Sequence, residues 1–355
     1  MATGGEAIFP GKVSLAGGEL SPPAVLPISK APVFVVGSAR SGTNLLHDTL
    51  LSSGGFAVYR TEPVVFDLLL PKFGDPGKPG NRERLLSVWF KSHQFRLSKL
   101  DRNLIEEKIL RDCHNAGDFL NIVMSEVAHL QGMERWVVWG PDNLLHIPAI
   151  ARTLPTALFL HIIRDGRDVA HSMNTKGFIR PFPWDKQRSL LVAALHWKWK
   201  VERGRHDGRQ IPHRYLEIHF EDLVRRPRET MAEIGGFIGH DLDYDRIQKA
   251  PIGVVRTPNS TFKGPDGKPT SDPVGRWRTH LSKAEVVQIE SAAGSLLREL
   301  GYELEFPAER PGGFPVKVMK HLYPAFFDLK EWLKIETPFG RLVSTKRLRF
   351  DATPK

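Results

Sequence analysis

The densest chemistry in the chain lies in seven residues, Gly37-Ser38-Ala39-Arg40-Ser41-Gly42-Thr43. Small residues let backbone approach a ligand closely, and Arg40 brings a cation into the same turn. If a helix starts near Gly42, its first N–H groups have no partners and point outward. The helix dipole adds partial positive charge there. Such a turn seats an anion the size of a phosphate. The glycines have the spacing of a nucleotide P-loop, G-x-x-x-x-G-K-[ST], with Gly37 and Gly42 in place. The Lys after the second glycine is missing, and Thr43 stands in its position. In a P-loop that Lys reaches the β- and γ-phosphates and the hydroxyl residue holds magnesium. A cation moved back to Arg40 predicts a ligand without a γ-phosphate.

The elements that position this loop are legible on both sides of it. Val33-Phe34-Val35-Val36 is a short, mostly β-branched apolar run and predicts a buried strand. A helix is expected over about 42–53 and a short strand over 56–59. A largely helical block follows, about 64–132, broken at 71–80 by a Pro/Gly-rich stretch. A strand at 136–139, a helix at 143–153, a strand at 157–163 and a helix at 165–174 come next. A long helix over about 187–204, a strand at 215–220 and a helix at 228–238 complete the pattern. Strands alternating with helices predict an α/β fold with a parallel sheet covered on both faces. In such sheets ligands sit at the carboxyl ends of the strands, where the loop after Val36 lies.

A second segment at a strand end is Arg164-Asp165-Gly166-Arg167-Asp168-Val169-Ala170-His171-Ser172. Together with Gly37–Thr43 it resembles the sulfotransferase superfamily that uses 3′-phosphoadenosine 5′-phosphosulfate (PAPS). The similarity is to the broad branch that holds many bacterial enzymes and the protein-tyrosine sulfotransferases. Three further stretches resemble the same family: Tyr215-Leu216-Glu217-Ile218-His219-Phe220-Glu221-Asp222-Leu223, Val274-Gly275-Arg276-Trp277-Arg278 and Leu296-Leu297-Arg298-Glu299-Leu300-Gly301-Tyr302. The resemblance runs in order over about residues 30–305. It implies a P-loop-like three-layer α/β fold with a central parallel sheet. Residues 1–30 then form an N-terminal arm, 64–132 a helical insertion on the acceptor side, and 306–355 a C-terminal extension.

The resemblance also implies residue roles. Ser38, Ala39, Arg40, Ser41, Gly42 and Thr43, with Asn44 beside them, would cradle the 5′-phosphosulfate. Arg164 and Ser172 would hold the 3′-phosphate. Lys176, one helical turn past Ser172, either reaches the same phosphate or is an ordinary helix-end lysine. Gly275, Arg276 and Trp277 match the late loop that covers the nucleotide, and Trp277 either stacks on adenine or packs internally. Arg167 is expected to pair with Asp168 or to cap. Two positions depart from the family. Trp139-Gly140-Pro141 stands where Lys-Thr-Pro is frequent, and Phe220 replaces the Tyr of Y-E-D-L.

Transfer to a hydroxyl needs a base. Glu62 is the first candidate, because the matching position in the protein-tyrosine sulfotransferases is an acidic residue that looks like the base. The alternative is that Glu62 caps the next helix. His47, one turn into the helix after the loop, is the second candidate, since many sulfotransferases use a His. Its alternative is a helix histidine with a satisfied hydrogen bond. Arg40 is expected to stabilise the departing phosphate. The expected activity is sulfuryl transfer from PAPS to a hydroxyl acceptor without a metal. The alternatives are a metal-dependent P-loop kinase of a small molecule and a non-catalytic binder of adenosine 3′,5′-bisphosphate (PAP). The acceptor is a hydroxylated lipid, sugar, phenol or peptide tyrosine.

Bulk properties fit this reading. A chain of 355 residues suits one large α/β domain with extensions, and 41% hydrophobic residues suffice for a core. The single cysteine, Cys113, rules out an internal disulfide and fits a reducing compartment, so a cytoplasmic location is expected. Residues 1–30 have neither a basic start nor an apolar core and do not read as a secretion signal. No run reaches the ~18 apolar residues of a membrane span, which leaves peripheral membrane contact open. Net charge is +10, part of which an anionic ligand explains. No nucleic-acid motif is present, so no nucleic-acid partner is expected.

Overall fold

The computed structural model describes residues 30–176, 189–249, 273–307 and 314–348. Five strands form one sheet: β1 (Val33–Val36), β2 (Phe56–Ala57), β3 (Arg135–Trp139), β4 (Leu158–Ile163) and β5 (Tyr215–His219). Their order is β2-β3-β1-β4-β5, and every pairing is parallel. All four residues of β1 are fully buried. A parallel strand covered on both faces must be apolar on both, hence the unbroken Val-Phe-Val-Val run. Val35 stands opposite Trp139 on one side and Leu160 on the other. The carboxyl ends of β3, β1 and β4 therefore share one edge of the sheet, and the chain runs from β1 outward to β2, back to β3, and then across β1 to β4.

Helix α1 (Thr43–Ser52) follows β1 directly. The insertion opens with a π-helical turn, Val65–Leu69, that runs into α2 (Leu70–Phe73). It continues through α3 (Pro79–Trp89), α4 (His93–Ser98), α5 (Arg102–Asp112) and α6 (Ala116–Leu130). Beyond β3 come α7 (Ile147–Thr153), α8 (Gly166–Lys176), α9 (Leu190–Gly208), α10 (Phe220–Arg225), α11 (Pro227–Ile238) and α12 (Tyr244–Lys249). The late helices are α13 (Trp277–His280), α14 (Lys283–Glu299) and α15 (Phe314–Glu336).

Alternation along the strands assigns the layers. Val33 and Val35 pack toward α1 and α11, whereas Phe34 and Val36 pack toward α6 and α7. A third cluster joins Ile163 at the end of β4 to α8, α9, α14 and α15. The result is the three-layer α/β architecture, with the insertion covering one face of the sheet through α6.

The departures from sequence expectation have local causes. β2 ends at Ala57 because the Val58 amide donates to Gln131 Oε1 at 2.8 Å, and Gln131 Nε2 returns a bond to the Val58 carbonyl at 3.0 Å. A side chain thus replaces the next rung of the ladder. The break in the insertion falls at 74–78, because Pro71 is the second residue of α2, where its missing N–H costs little. The helix expected from 143 starts as a 3₁₀ turn, Pro141–His146.

The C-terminal segment is built onto this body. Tyr323 and Phe327 of α15 are buried against α9 and α14. The chain then turns through two 3₁₀ segments, Pro338–Leu342 and Thr345–Leu348. Leu348 is 1% exposed and sits in the core of the insertion. No helix among the described residues is long and apolar enough to cross a membrane.

Candidate active site

The turn between β1 and α1 is held in an unusual backbone path. Arg40 has φ +71° and Gly42 has φ +100°. The left-handed region costs a non-glycine residue about 1 kcal/mol or more, so the turn is strained at Arg40. Both glycines of the motif are required by close contacts. A Cβ on Gly37 would stand 2.5 Å from the Ile162 carbonyl oxygen, and one on Gly42 would stand 2.5 Å from Phe220 Cδ2. The Ser41 amide closes the turn onto the Ser38 carbonyl at 3.1 Å.

The start of α1 has no side-chain cap and no acidic residue in its first turn. No acidic side chain in that turn offsets its dipole. The hydroxyls of Ser38 and Ser41 are buried without a hydrogen-bond partner. Thr43 is buried and donates to Asn44 Oδ1 at 3.5 Å, while Ala39 packs against the third cluster. Unsatisfied buried donors at a helix start suit an anion.

The second loop meets the first. Arg40 Nε donates to Ser172 Oγ at 2.9 Å. Arg164, at the end of β4, donates to the Arg40 carbonyl at 3.3 Å and to the Pro273 carbonyl at 2.6 Å. Its guanidinium lies 4.5 Å from the centre of the Phe220 ring, and its Nε is buried without a partner. One ring therefore supports Arg164 and abuts Gly42, and this packing does not need the missing Tyr hydroxyl. Burial, and then the neighbouring Arg164, lower the pKa of Arg40. Two guanidiniums this close leave a positive field that a bound anion relieves.

Asp168 organises the late loop. It ion-pairs with Arg164 at 3.4 Å and accepts the amides of Gly275 and Trp277, both at 2.9 Å. Arg167, expected on Asp168, pairs instead with Asp165 at 2.8 Å and Glu290 at 2.7 Å. Arg164 lies just before α8 and claims Asp168, in the first turn of that helix, through its own ion pair. The Trp277 indole is 2% exposed, lies between Arg167 at 3.9 Å and Arg278 at 4.3 Å, and donates to Asp165 at 3.2 Å. The indole is thus packed within the protein against two arginines. The half-buried Arg276 offers its carbonyl to the Thr279 hydroxyl at 3.0 Å. Lys176 ends α8, and its side chain lies outside the described residues, as do Phe178, Phe182 and Trp184.

A second group of charged residues is organised around Glu62. Its carboxylate does not cap a helix. Instead Oε2 accepts from Arg347 Nη2 at 2.9 Å. The same guanidinium reaches Asp67 and, at 3.5 Å, Asp142. Asp142 is in turn held by the buried Lys200 at 2.7 Å, whose ammonium also donates to the Pro141 carbonyl at 3.2 Å. The turn that lacks the family Lys thus receives a lysine from α9, but one committed to Asp142. A small cavity joins Glu62 to Gly140 and Asn143. The Gly140 amide bonds the Val35 carbonyl at 3.3 Å, so Glu62 lies beside the carboxyl ends of β3 and β1. Burial raises the pKa of Glu62 to about 7 against the lowering effect of Arg347. Lys200 and Arg347 hold Asp142 well below the usual carboxylate range.

His47 is closed in. Its side chain is 3% exposed, its ring lies 6.1 Å from Trp139, Nδ1 is 3.6 Å from Asp48, and Nε2 is buried without a partner. A separate cleft of about 530 Å³ between α9, α14 and α15 shares no residue with these loops.

A family model described as "Sulfotransferase family" matches residues 32–245. The chain belongs to the sulfotransferase family. A putative protein-tyrosine sulfotransferase of Caenorhabditis briggsae is 27% identical over 219 residues, 60% of this chain and 66% of that protein. Protein-tyrosine sulfotransferase 2 of Gallus gallus is 27% identical over 171 residues, 46% of this chain and 45% of that one. The chain therefore matches under half to about two thirds of the length of these relatives. Among solved structures, the sulfotransferase domain of the Synechococcus PCC 7002 olefin synthase superposes with a TM-score of 0.50 at 21% identity. It covers 78% of this chain and 98% of that domain. That likeness shows the fold. The family match ends at 245, so it takes in the loops after β1 and β4, Glu62 and Lys200 but none of the late loop or the C-terminal segment.

Proposed function

We propose that this family member is an enzyme that transfers a sulfuryl group from PAPS to a hydroxyl acceptor. The observation that carries the reading is the convergence of unsatisfied donors on one spot. The Ser38 and Ser41 hydroxyls, Arg164 Nε and the uncapped start of α1 all lie at the carboxyl ends of β1 and β4. These residues fit an anionic nucleotide: residues 38–44 for its 5′ group, Arg164 and Ser172 for its 3′-phosphate. When bound, PAPS supplies the sulfuryl group, the acceptor oxygen forming the new bond to sulfur while the bond to the phosphate oxygen breaks.

The chain's own groups do the rest. Arg40 faces the growing charge on the departing phosphate, with two parallel donors on its guanidinium. It must first turn from Ser172, a change of side-chain rotamer. Glu62 takes the hydroxyl proton, and a carboxyl group tuned to about 7 suits a base working near neutral pH. The insertion 64–132 forms the acceptor side of a domain spanning about 31–305. The buried single thiol, Cys113, fits the expected cytoplasmic setting.

The test is thermal shift with PAP in the absence of metal, beside ATP with magnesium, followed by incubation with labelled PAPS and fractionated acceptors. PAP alone should stabilise the protein, and a labelled product should form. Stabilisation by ATP–magnesium but not PAP would replace the reading with a kinase. PAP binding with no turnover on any acceptor would leave a nucleotide binder.

A further inference from the structure

The C-terminal segment lies beyond the family match, yet its last described residues reach the acceptor side. We infer that Arg347 is a positioning residue for Glu62, holding one carboxylate oxygen so that the other faces the acceptor hydroxyl. The inference rests on Glu62 being the base.

Three features of the geometry support it. First, Arg347 Nη2 donates to Glu62 Oε2 at 2.9 Å, while Oε1 accepts no hydrogen bond from any described residue. A carboxylate fixed at one oxygen presents the other in a defined direction, and the hydroxyl proton passes from the acceptor oxygen to Oε1. Second, Arg347 is itself fixed. The next residue, Leu348, is buried among Tyr59, Val64, Trp89 and Phe119, and the Gln94 amide donates to the Arg347 carbonyl at 3.4 Å. Third, one planar guanidinium serves three acids at once: Glu62, Asp67 and Asp142. A lysine ammonium has neither the fork nor the reach to do this.

Charge has the same direction. The groups that act on Glu62 are Arg347 from the C-terminal segment, Asp142 from the turn after β3, and Asp67 from the π-helical turn. Lys200 of α9 and Lys334 of α15 act one step removed, through Asp142. Of the three direct neighbours only Arg347 favours the ionised base. Without it, two carboxylates and burial remain, and Glu62 keeps its proton to higher pH.

The experiment compares full-length wild type, Arg347→Ala, Arg347→Lys and Glu62→Gln. Three readouts are used: the pH profile of kcat/KM, PAP affinity by calorimetry, and infrared titration of the Glu62 carboxyl in nucleotide-free protein, identified by its loss in Glu62→Gln. Arg347→Ala should move the acid limb and the carboxyl titration up together by about one pH unit or more. Turnover near neutrality should fall about fivefold or more and recover partly at alkaline pH. PAP affinity should stay at the wild-type value. Arg347→Lys, which keeps the charge, should shift both in the same direction by less, and it carries the test if the alanine variant does not fold. An acid limb and a titration that stay at their wild-type positions overturn the inference, because a merely structural arginine changes stability alone. Near-normal turnover by Glu62→Gln would instead overturn the base reading, whatever Arg347 does.

Discussion

Arg40 and Ser172, 132 residues apart, are joined by a 2.9 Å hydrogen bond from the guanidinium Nε to the hydroxyl oxygen. This bond ties the loop after β1 to the helix after β4. It also means that a ligand entering between them breaks one internal contact to make its own.

Arg40 carries the first prediction. Arg40→Ala should lower kcat about 100-fold or more, the usual cost of losing one donor to a developing oxyanion. Acidic acceptors such as nitrophenols should not rescue it, because the missing charge faces the leaving group. Steady-state kinetics across an acceptor series checks this. A variant that recovers with acidic acceptors would place Arg40 on the wrong side of the reaction.

Arg164 is expected to read the 3′-phosphate. Arg164→Ala should weaken PAP strongly but adenosine 5′-phosphosulfate, which lacks that phosphate, only slightly. Calorimetric titration with both ligands gives the comparison. The variant also loses contacts to the Arg40 and Pro273 carbonyls and to Asp168, so its melting temperature should fall as well. Equal losses for the two nucleotides would assign Arg164 a structural role only.

Glu62→Gln should reduce turnover roughly 100-fold or more while leaving PAP affinity unchanged. It should also change how stability depends on pH. The carboxyl titrates near 4.5 in the unfolded chain and at about 7 in the fold. Between those values the folded protein holds a proton that the unfolded chain has released. The contribution of this group to stability is thus full below pH 4.5 and is lost as pH rises through 7. Urea unfolding at about pH 5 and about pH 8 should show the glutamine variant gaining on wild type at the higher pH. A constant difference across that window would mean the carboxyl is not perturbed.

Gly42→Ala should destabilise the fold by about 2–5 kcal/mol, combining a left-handed φ with overlap onto the Phe220 ring. Trimming that ring with Phe220→Leu should relieve only part of the loss, since the backbone angle remains. Denaturant midpoints of the two single variants and the double variant separate the contributions. Full recovery in the double variant would show that the cost is steric alone.

Residues close in sequence disclosed most of the site. A β-branched run, a small-residue turn and a helix start are neighbours, so the β1 loop was legible from Val33 to Thr43. Arg164 and Asp168 are four residues apart where β4 gives way to α8, and their ion pair is a local contact. What sequence could not show depends on packing at a distance. Nothing local says that Gln131 ends β2, or that the Trp277 ring lies between two arginines. The positions of Lys200 and Arg347 were hidden for the same reason. Asp142, beside Gly140-Pro141, was the nearest local hint of a buried charge needing a partner.

The separation of Glu62 from Arg347, 285 residues, also orders events during synthesis. A ribosome adds about 5–20 residues per second, so Glu62 precedes its arginine by roughly 15–60 s. Late in that interval, once Asp142 has been made, the nascent chain has β1, the turn after it and α1, but not the leucine that fills the insertion's core or the arginine shared by its three acids. The apolar pocket of the insertion then stays open, and Glu62 and Asp67 beside it lack their arginine, until Arg347 and Leu348 arrive.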